Sequence, residues 1–212
     1  MTTKTRTTNA RQTERLRLRQ ELAREKAKKA KRRLITRIVT AAVVIIVASL
    51  VSYGLWSARP TNSIAAEQAP AFTLKTTAST TISLSDYRGK PVILYFNEGA
   101  GCGACIMQMG EIEKNKADFD AIGITVLPIV MNTKADITTD MSHYGVTTPF
   151  LLDDGTVSKA YGTLGKGMHA DLPGHSFVLI DKAGNQRWYG EYPSMWLSTT
   201  DLLKEVRTHL SG

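Results

Sequence analysis

Two cysteines, Cys102 and Cys105, are all that the 212-residue sequence contains. That scarcity excludes a scaffold stapled by several disulfides. The lack of a second C-x-x-C argues against a structural zinc site, and the histidines (His143, His169, His175, His209) have no paired spacing that would complete one. A disulfide across so short a loop would remove little chain entropy, so the pair is a poor structural staple. No internal repeat is visible, which sets solenoid architectures aside.

Charge is also missing where it would matter. Ile38 to Trp56, IVTAAVVIIVASLVSYGLW, has none over 19 residues. As a helix this run would be ~29 Å long, close to the ~30 Å hydrocarbon core of a bilayer. Tyr53 and Trp56 stand at one end, where an interfacial aromatic belt would lie. The run is longer than a signal-peptide core, and no small-residue cleavage pattern follows it. No cysteine follows it closely either, which excludes a lipoprotein. The expectation is a retained single-span anchor over 38–56.

The formal net charge of +8 is unevenly placed. Residues 1–37 hold 14 Lys and Arg against Glu14, Glu21 and Glu25, whereas residues 38–212 are net acidic. The basic character therefore belongs to a tail, and nucleic-acid binding is not expected. By the positive-inside rule the tail is cytoplasmic and the rest of the chain extracytoplasmic, in an oxidising compartment. Residues 1–9 read as disordered. Ala10 to Leu34, rich in strong helix formers, reads as a cationic helix beside anionic headgroups.

Residues 57–68 read as a polar linker and residues 69–212 as one α/β domain. Phe72–Leu74 and Thr81–Leu84 read as short strands, and the apolar runs Val92–Phe96 and Ile124–Val130 as buried central strands. Cys105–Phe119, Ala135–Tyr144 and Thr156–Tyr161 have helical character, and Thr148–Gly155 reads as a short strand ended by a turn. Ser176–Asp181 and Gln186–Gly190 flank KAGN as a hairpin. The last segment opens on a capping pattern, Ser198 to Asp201, and continues as an amphipathic helix.

A C-x-x-C pair after a buried strand and at a helix start is a redox arrangement. Cys102 would sit where helix N–H groups converge and favour a thiolate, which makes it the nucleophile. Cys105, one turn on, would resolve the mixed disulfide formed at Cys102. Gly101 and Gly103 would leave Cys102 uncovered. Glu98, four residues earlier, is either a proton acceptor for the resolving thiol or a solvated loop carboxylate.

APAFTL (69–74), TISLSDYRGKPVILYF (81–96), CGAC, TPFLLDDGTVSKAYGT (148–163) and SFVLIDKAG (176–184) together resemble the redoxin superfamily. They are most similar to its membrane-anchored TlpA/ResA-type thiol–disulfide oxidoreductases, with some likeness to the AhpC/TSA peroxiredoxins. The resemblance spans Ala69 to Leu210 and implies a thioredoxin fold, a redox-active Cys102–Cys105 disulfide without cofactor, protein thiol or disulfide substrates, and a redox partner in the membrane.

Three departures stand out. Gly101 occupies the place of a tryptophan before the first cysteine, and Gly110 that of a helix-kinking proline. The cis-proline that faces the disulfide in such proteins would be Pro173, displaced by one residue. Two alternatives remain open. A thiol peroxidase would carry P-x-x-x-T/S-x-x-C, but Tyr95 and Gly99 stand at the proline and hydroxyl positions. A Sco-like copper chaperone would draw on Met107, Met109, Met131, Met141 and Met168 with His169 and His175.

Overall fold

The computed structural model describes residues 3–57, 61–63 and 67–210, which form two units, 1–56 and 57–212. The first unit is helical. Helix α1 runs from Thr3 to Ser57 without interruption, so residues 3–9, expected to be irregular, are helical. Within it Arg24–Gly54 holds a stretch long and apolar enough to cross a membrane by length and composition, and none of that window is buried.

The second unit is built on a mixed sheet. Its strands are β1 (Thr61–Ser63), β2 (Glu67–Gln68), β3 (Thr73–Thr76), β4 (Thr81–Ser83), β5 (Val92–Phe96), β6 (Thr125–Val130), β7 (Leu151–Leu152), β8 (Ser176–Ile180) and β9 (Asn185–Glu191). Their order is β1-β9-β8-β5-β6-β7-β3-β4, with β2 also on β9. β5, β6 and β7 are parallel neighbours, and the remaining pairings are antiparallel. Helices α2 (Gly103–Lys114), α3 (Lys116–Ala121), α4 (Lys134–Tyr144), α5 (Thr156–Ala160) and α6 (Thr199–Leu210) complete the unit. This is the thioredoxin-like architecture expected from the sequence.

β5 lies at the centre because every residue of VILYF is apolar and both of its faces are covered. Its alternation divides the core. Ile93 and Tyr95 pack with Ile106, Met109 and Ile112 of α2, Ile137 and Met141 of α4, and Leu202 and Val206 of α6. Val92, Leu94 and Phe96 face the other way, onto Phe72, Leu84, Val157 and Tyr161.

Pro128 stands inside β6, where a proline costs a ladder bond unless its nitrogen faces an unpaired edge. Ile129 O accepts from Asn97 on the β5 side, and Val130 O accepts from Asp153 on the β7 side. Residue 128 therefore points its nitrogen toward β7, and β7 pairs only from Ile129 onward. The missing donor is not needed there.

Two expectations change. The single helix read over Cys105–Phe119 starts at Gly103 and stops at Asn115, whose N–H bonds Glu111 O before α3 begins. The segment read as a 57–68 linker contributes two strands: Thr61–Ser63 pairs with Tyr189–Glu191, and Glu67–Gln68 with Asn185–Gln186. Polar residues suit such an edge position, since neither face of a short edge strand needs a core.

Candidate active site

The cysteines lie at the carboxyl end of β5, where the chain must turn sharply from strand to helix. Loop 97–101 makes that turn through side chains borrowed from neighbouring elements. Asn97 is buried. Its Nδ2 donates to Tyr95 O at 3.3 Å, and its Oδ1 accepts Gly99 N–H at 3.0 Å. Asn132 Oδ1 accepts Ala100 N–H at 2.9 Å, and Asp140 Oδ2 accepts Gly101 N–H at 2.8 Å. Gly99 has φ +73°, and a Cβ there would stand 1.8 Å from Asn132 Oδ1, so only glycine fits. Cys102 N–H then closes on Gly99 O at 3.0 Å.

This lashing places Cys102 at the N-cap of α2. Cys105 N–H points at Cys102 Sγ from 3.3 Å, and the two sulfurs are joined in a disulfide with Cα atoms 5.3 Å apart. Cys102 keeps 8% of its surface exposed, while Cys105 is fully buried. Only the first sulfur is open to an incoming group. When the disulfide is reduced, the N–H and the helix dipole favour a thiolate at Cys102, whereas burial disfavours one at Cys105. The two sulfurs thus differ in exposure and in what they accept from the backbone.

The two glycines that flank Cys102 differ in their surroundings. Gly101 has φ +90° and open space around it, whereas a Cβ on Gly103 would meet Tyr144 Oη at 2.4 Å. Gly103 thus makes room for a tyrosine beside the pair. Gly110 packs against Val146 within a helix that runs uninterrupted from Gly103 to Lys114.

Beneath Cys105 lies a buried polar pair that the sequence did not reveal. Tyr95 Oη donates to Cys105 O at 3.1 Å and lies 3.2 Å from His175 Nδ1. Tyr95 has one proton to give, so both bonds form together only when His175 Nδ1 carries its hydrogen. His175 Nε2 is then a lone pair, buried and without a partner in the described structure. Burial pushes the imidazole down to about 3, which keeps it neutral, and pushes the Tyr95 phenol up.

Glu98 is not the solvated loop carboxylate of one reading, being 1% exposed. Its Oε1 accepts His169 N–H at 3.1 Å and its Oε2 lies 2.9 Å from His169 Nδ1. Among the described residues, no hydrogen bond joins it to either cysteine. Its partners lie on a loop closed by Gly165 N–H to Leu172 O and Gly174 N–H to Thr163 O. Gly174 is pinned there, because a Cβ would stand 2.4 Å from the carbonyl carbon of Lys166. We expect Gly174→Ala to displace this loop from Glu98 and cost about 1–3 kcal/mol in chemical denaturation. A change below ~0.5 kcal/mol would contradict the packing described.

Pro173 requires a correction. No described peptide bond is cis, and Pro173 is buried in a bridge with Leu164. The residue that directly precedes β8, whose first residue Ser176 pairs with Phe96, is His175. A one-residue difference in the approach to β8 thus puts an imidazole below the pair. The methionines of the copper reading do not gather. Met109 and Met141 are core, Met131 lies against Gly155, and Met107 and Met168 are exposed at separate places. Asn132 and Asp140 were missed from sequence, and Tyr95 and His175 were named there only in other roles. One signal pointed to Asn132: it follows the carboxyl end of a parallel strand next to β5, where sites of open α/β sheets form.

Comparison with known proteins agrees with this fold. A putative peroxiredoxin of Mycobacterium tuberculosis is 36% identical over 101 residues, 47% of this chain and 64% of that protein. A chloroplastic peroxiredoxin Q of Triticum aestivum is 30% identical over 116 residues, 54% of this chain and 53% of that one. The chain thus spans less than two thirds of the length of these curated relatives. Among solved structures, reduced 2-Cys peroxiredoxin of Plasmodium vivax superposes with a TM-score of 0.59 at 19% identity, over 69% of this chain and 96% of that one. Peroxidoxin BcpB of Mycobacterium tuberculosis gives 0.57 at 16%, over 70% and 96%. The match that decides kinship is to a family model rather than to any one relative: it runs from residue 65 to residue 188, more than half of the sequence, and the chain belongs to the AhpC/TSA family.

Proposed function

We propose that the protein is a membrane-anchored, extracytoplasmic thiol–disulfide oxidoreductase of the TlpA/ResA type, working on protein substrates through Cys102 and Cys105. The observation that carries the reading is the disulfide itself, made between a partly open N-cap sulfur and a buried one with α2 intact from Gly103. In the reductive direction, Cys102 thiolate attacks one sulfur of a substrate disulfide. The departing substrate thiolate takes up a proton. Cys105, on losing its proton, attacks Cys102 Sγ and expels the second substrate thiolate. Two electrons pass to the substrate, and the Cys102–Cys105 disulfide forms. The opposite direction runs the same steps in reverse.

The domain assignment belongs to the same proposal: a basic cytoplasmic tail over 1–37, a span over 38–56 and a redox domain beyond it. The charge asymmetry and the apolar stretch within Arg24–Gly54 support it. A membrane redox partner that resets the pair is part of this reading.

The names of the relatives favour a second one, peroxide reduction at Cys102. Against it stands the site. Gly99 has no hydroxyl, the space for its Cβ is filled by Asn132, and Tyr95 is buried in the core. The test is turnover by the full chain with one thiol donor, using either a disulfide-bonded protein or hydrogen peroxide as acceptor. Rapid turnover of the protein disulfide with slow peroxide consumption is expected. The reverse ranking would sink the exchange reading.

A further inference from the structure

Among the described residues of the second unit, four large apolar side chains are exposed: Met107, Tyr144, Met168 and Trp196. Three of them, Met107 at 49%, Tyr144 at 39% and Trp196 at 43%, line one groove of about 430 Å³. Such concentration is not what scattered surface hydrophobics produce.

The groove follows one face of α2. Met107, Gly110, Glu111 and Lys114 recur at helical spacing, and Gly103 continues the same stripe one turn toward the cysteines. Tyr144 Oη lies against Gly103, so the groove's wall reaches the residue next to Cys102. From Gly103 to Lys114 the helix rises ~16 Å, which matches about five residues of extended chain at ~3.3 Å each.

The opposite wall is held in place. Leu197 N–H donates to Gln108 Oε1 at 2.8 Å, which fastens the segment after β9 to α2. Met195, directly before Trp196, has φ +58°, a left-handed conformation that non-glycine residues adopt seldom. The charged side chains of the groove each have a partner within the chain. Lys114 pairs with Glu111 at 3.2 Å, and Glu113 accepts from the backbone and hydroxyls of Thr147 and Thr148. Beside this exposed ion pair the groove presents the apolar side chains of Met107, Tyr144 and Trp196.

We propose that this groove holds an extended, uncharged segment of the substrate protein, with apolar side chains flanking the disulfide that Cys102 attacks. The proposal rests on the exchange reading and adds the substrate class. Binding an apolar segment beside the nucleophile selects disulfides exposed in unfolded or partly folded chains, where such flanks are accessible.

The test uses the full chain in lipid nanodiscs and two peptide disulfides that differ only in flanking residues, leucine and tryptophan in one, serine in the other. The apolar peptide should be preferred in kcat/KM by about tenfold or more. The Met107→Ser/Trp196→Ala variant should bring that ratio to near one. No preference in the wild type, or an unchanged ratio in the variant, overturns the proposal. If neither peptide disulfide reacts, the exchange reading has failed. Equilibrium binding of the same peptides with cysteine replaced by serine then judges the groove alone: tighter apolar binding that the variant loses supports it, and equal binding overturns it. Concentration-dependent pairing of the wild type that the variant lacks would assign the groove to a second copy, and vesicle binding lost in the variant would assign it to a lipid surface. Either outcome also overturns the proposal.

Discussion

Cys102→Ser should reduce exchange with a protein disulfide by about a thousandfold or more, whereas Cys105→Ser should leave the first attack intact and accumulate a mixed disulfide. The difference follows from exposure and polarity. Cys102 is the sulfur with open surface, and it receives Cys105 N–H at the start of α2. A serine hydroxyl there stays un-ionised and does not attack a disulfide sulfur, and the sequence has no third cysteine to replace it. Cys105 is buried, so it meets no substrate directly and acts only on the sulfur already at Cys102. Intact-mass analysis after alkylation reads both results. A Cys102→Ser chain that still turns over, or a Cys105→Ser chain that traps nothing, would invert or remove the assignment.

The second large effect concerns acid. His175 is neutral in the folded chain because burial lowers it to about 3, against 6.5 when unfolded. The unfolded chain therefore binds a proton that the folded chain refuses as pH falls below 6.5. Stability drops through that window, and the loss levels off near pH 3. Between pH 7 and 4.5 a single such group removes ~3 kcal/mol, at 1.36 kcal/mol per pH unit. His175→Asn cannot titrate. Its denaturation free energy should change over the same interval by ~3 kcal/mol less than that of the wild type, while carboxylates and the other histidines cancel in the difference. Parallel pH profiles for the two chains would show that the imidazole is not held neutral by the fold.

The redox core of this molecule was legible because it is local. A continuous apolar run, a glycine loop and C-x-x-C at a helix start are neighbours in sequence, and they appear as β5, loop 97–101 and α2. Pro173 failed because the approach to β8 depends on how loop 163–174 closes, which hydrogen bonds such as Gly174 N–H to Thr163 O decide. Glu98 could not be weighed from sequence, since its burial comes from His169, 71 positions away. The same distance hid Asn132 and Asp140, whose side chains hold the glycine loop from two other elements. The strands at 61–63 and 67–68 were read as linker because a short polar edge strand has no hydrophobic alternation to betray it. Periodicity reports on faces that meet the core, and these residues act at edges and turns.

Offering the reduced Cys105→Ser chain a disulfide-bonded protein and hydrogen peroxide together, then mapping Cys102 by mass, tests the account most directly. The account predicts Cys102 joined to a cysteine of the protein partner. Cys102 found instead as a sulfenic acid, one oxygen heavier and with no partner attached, would contradict it.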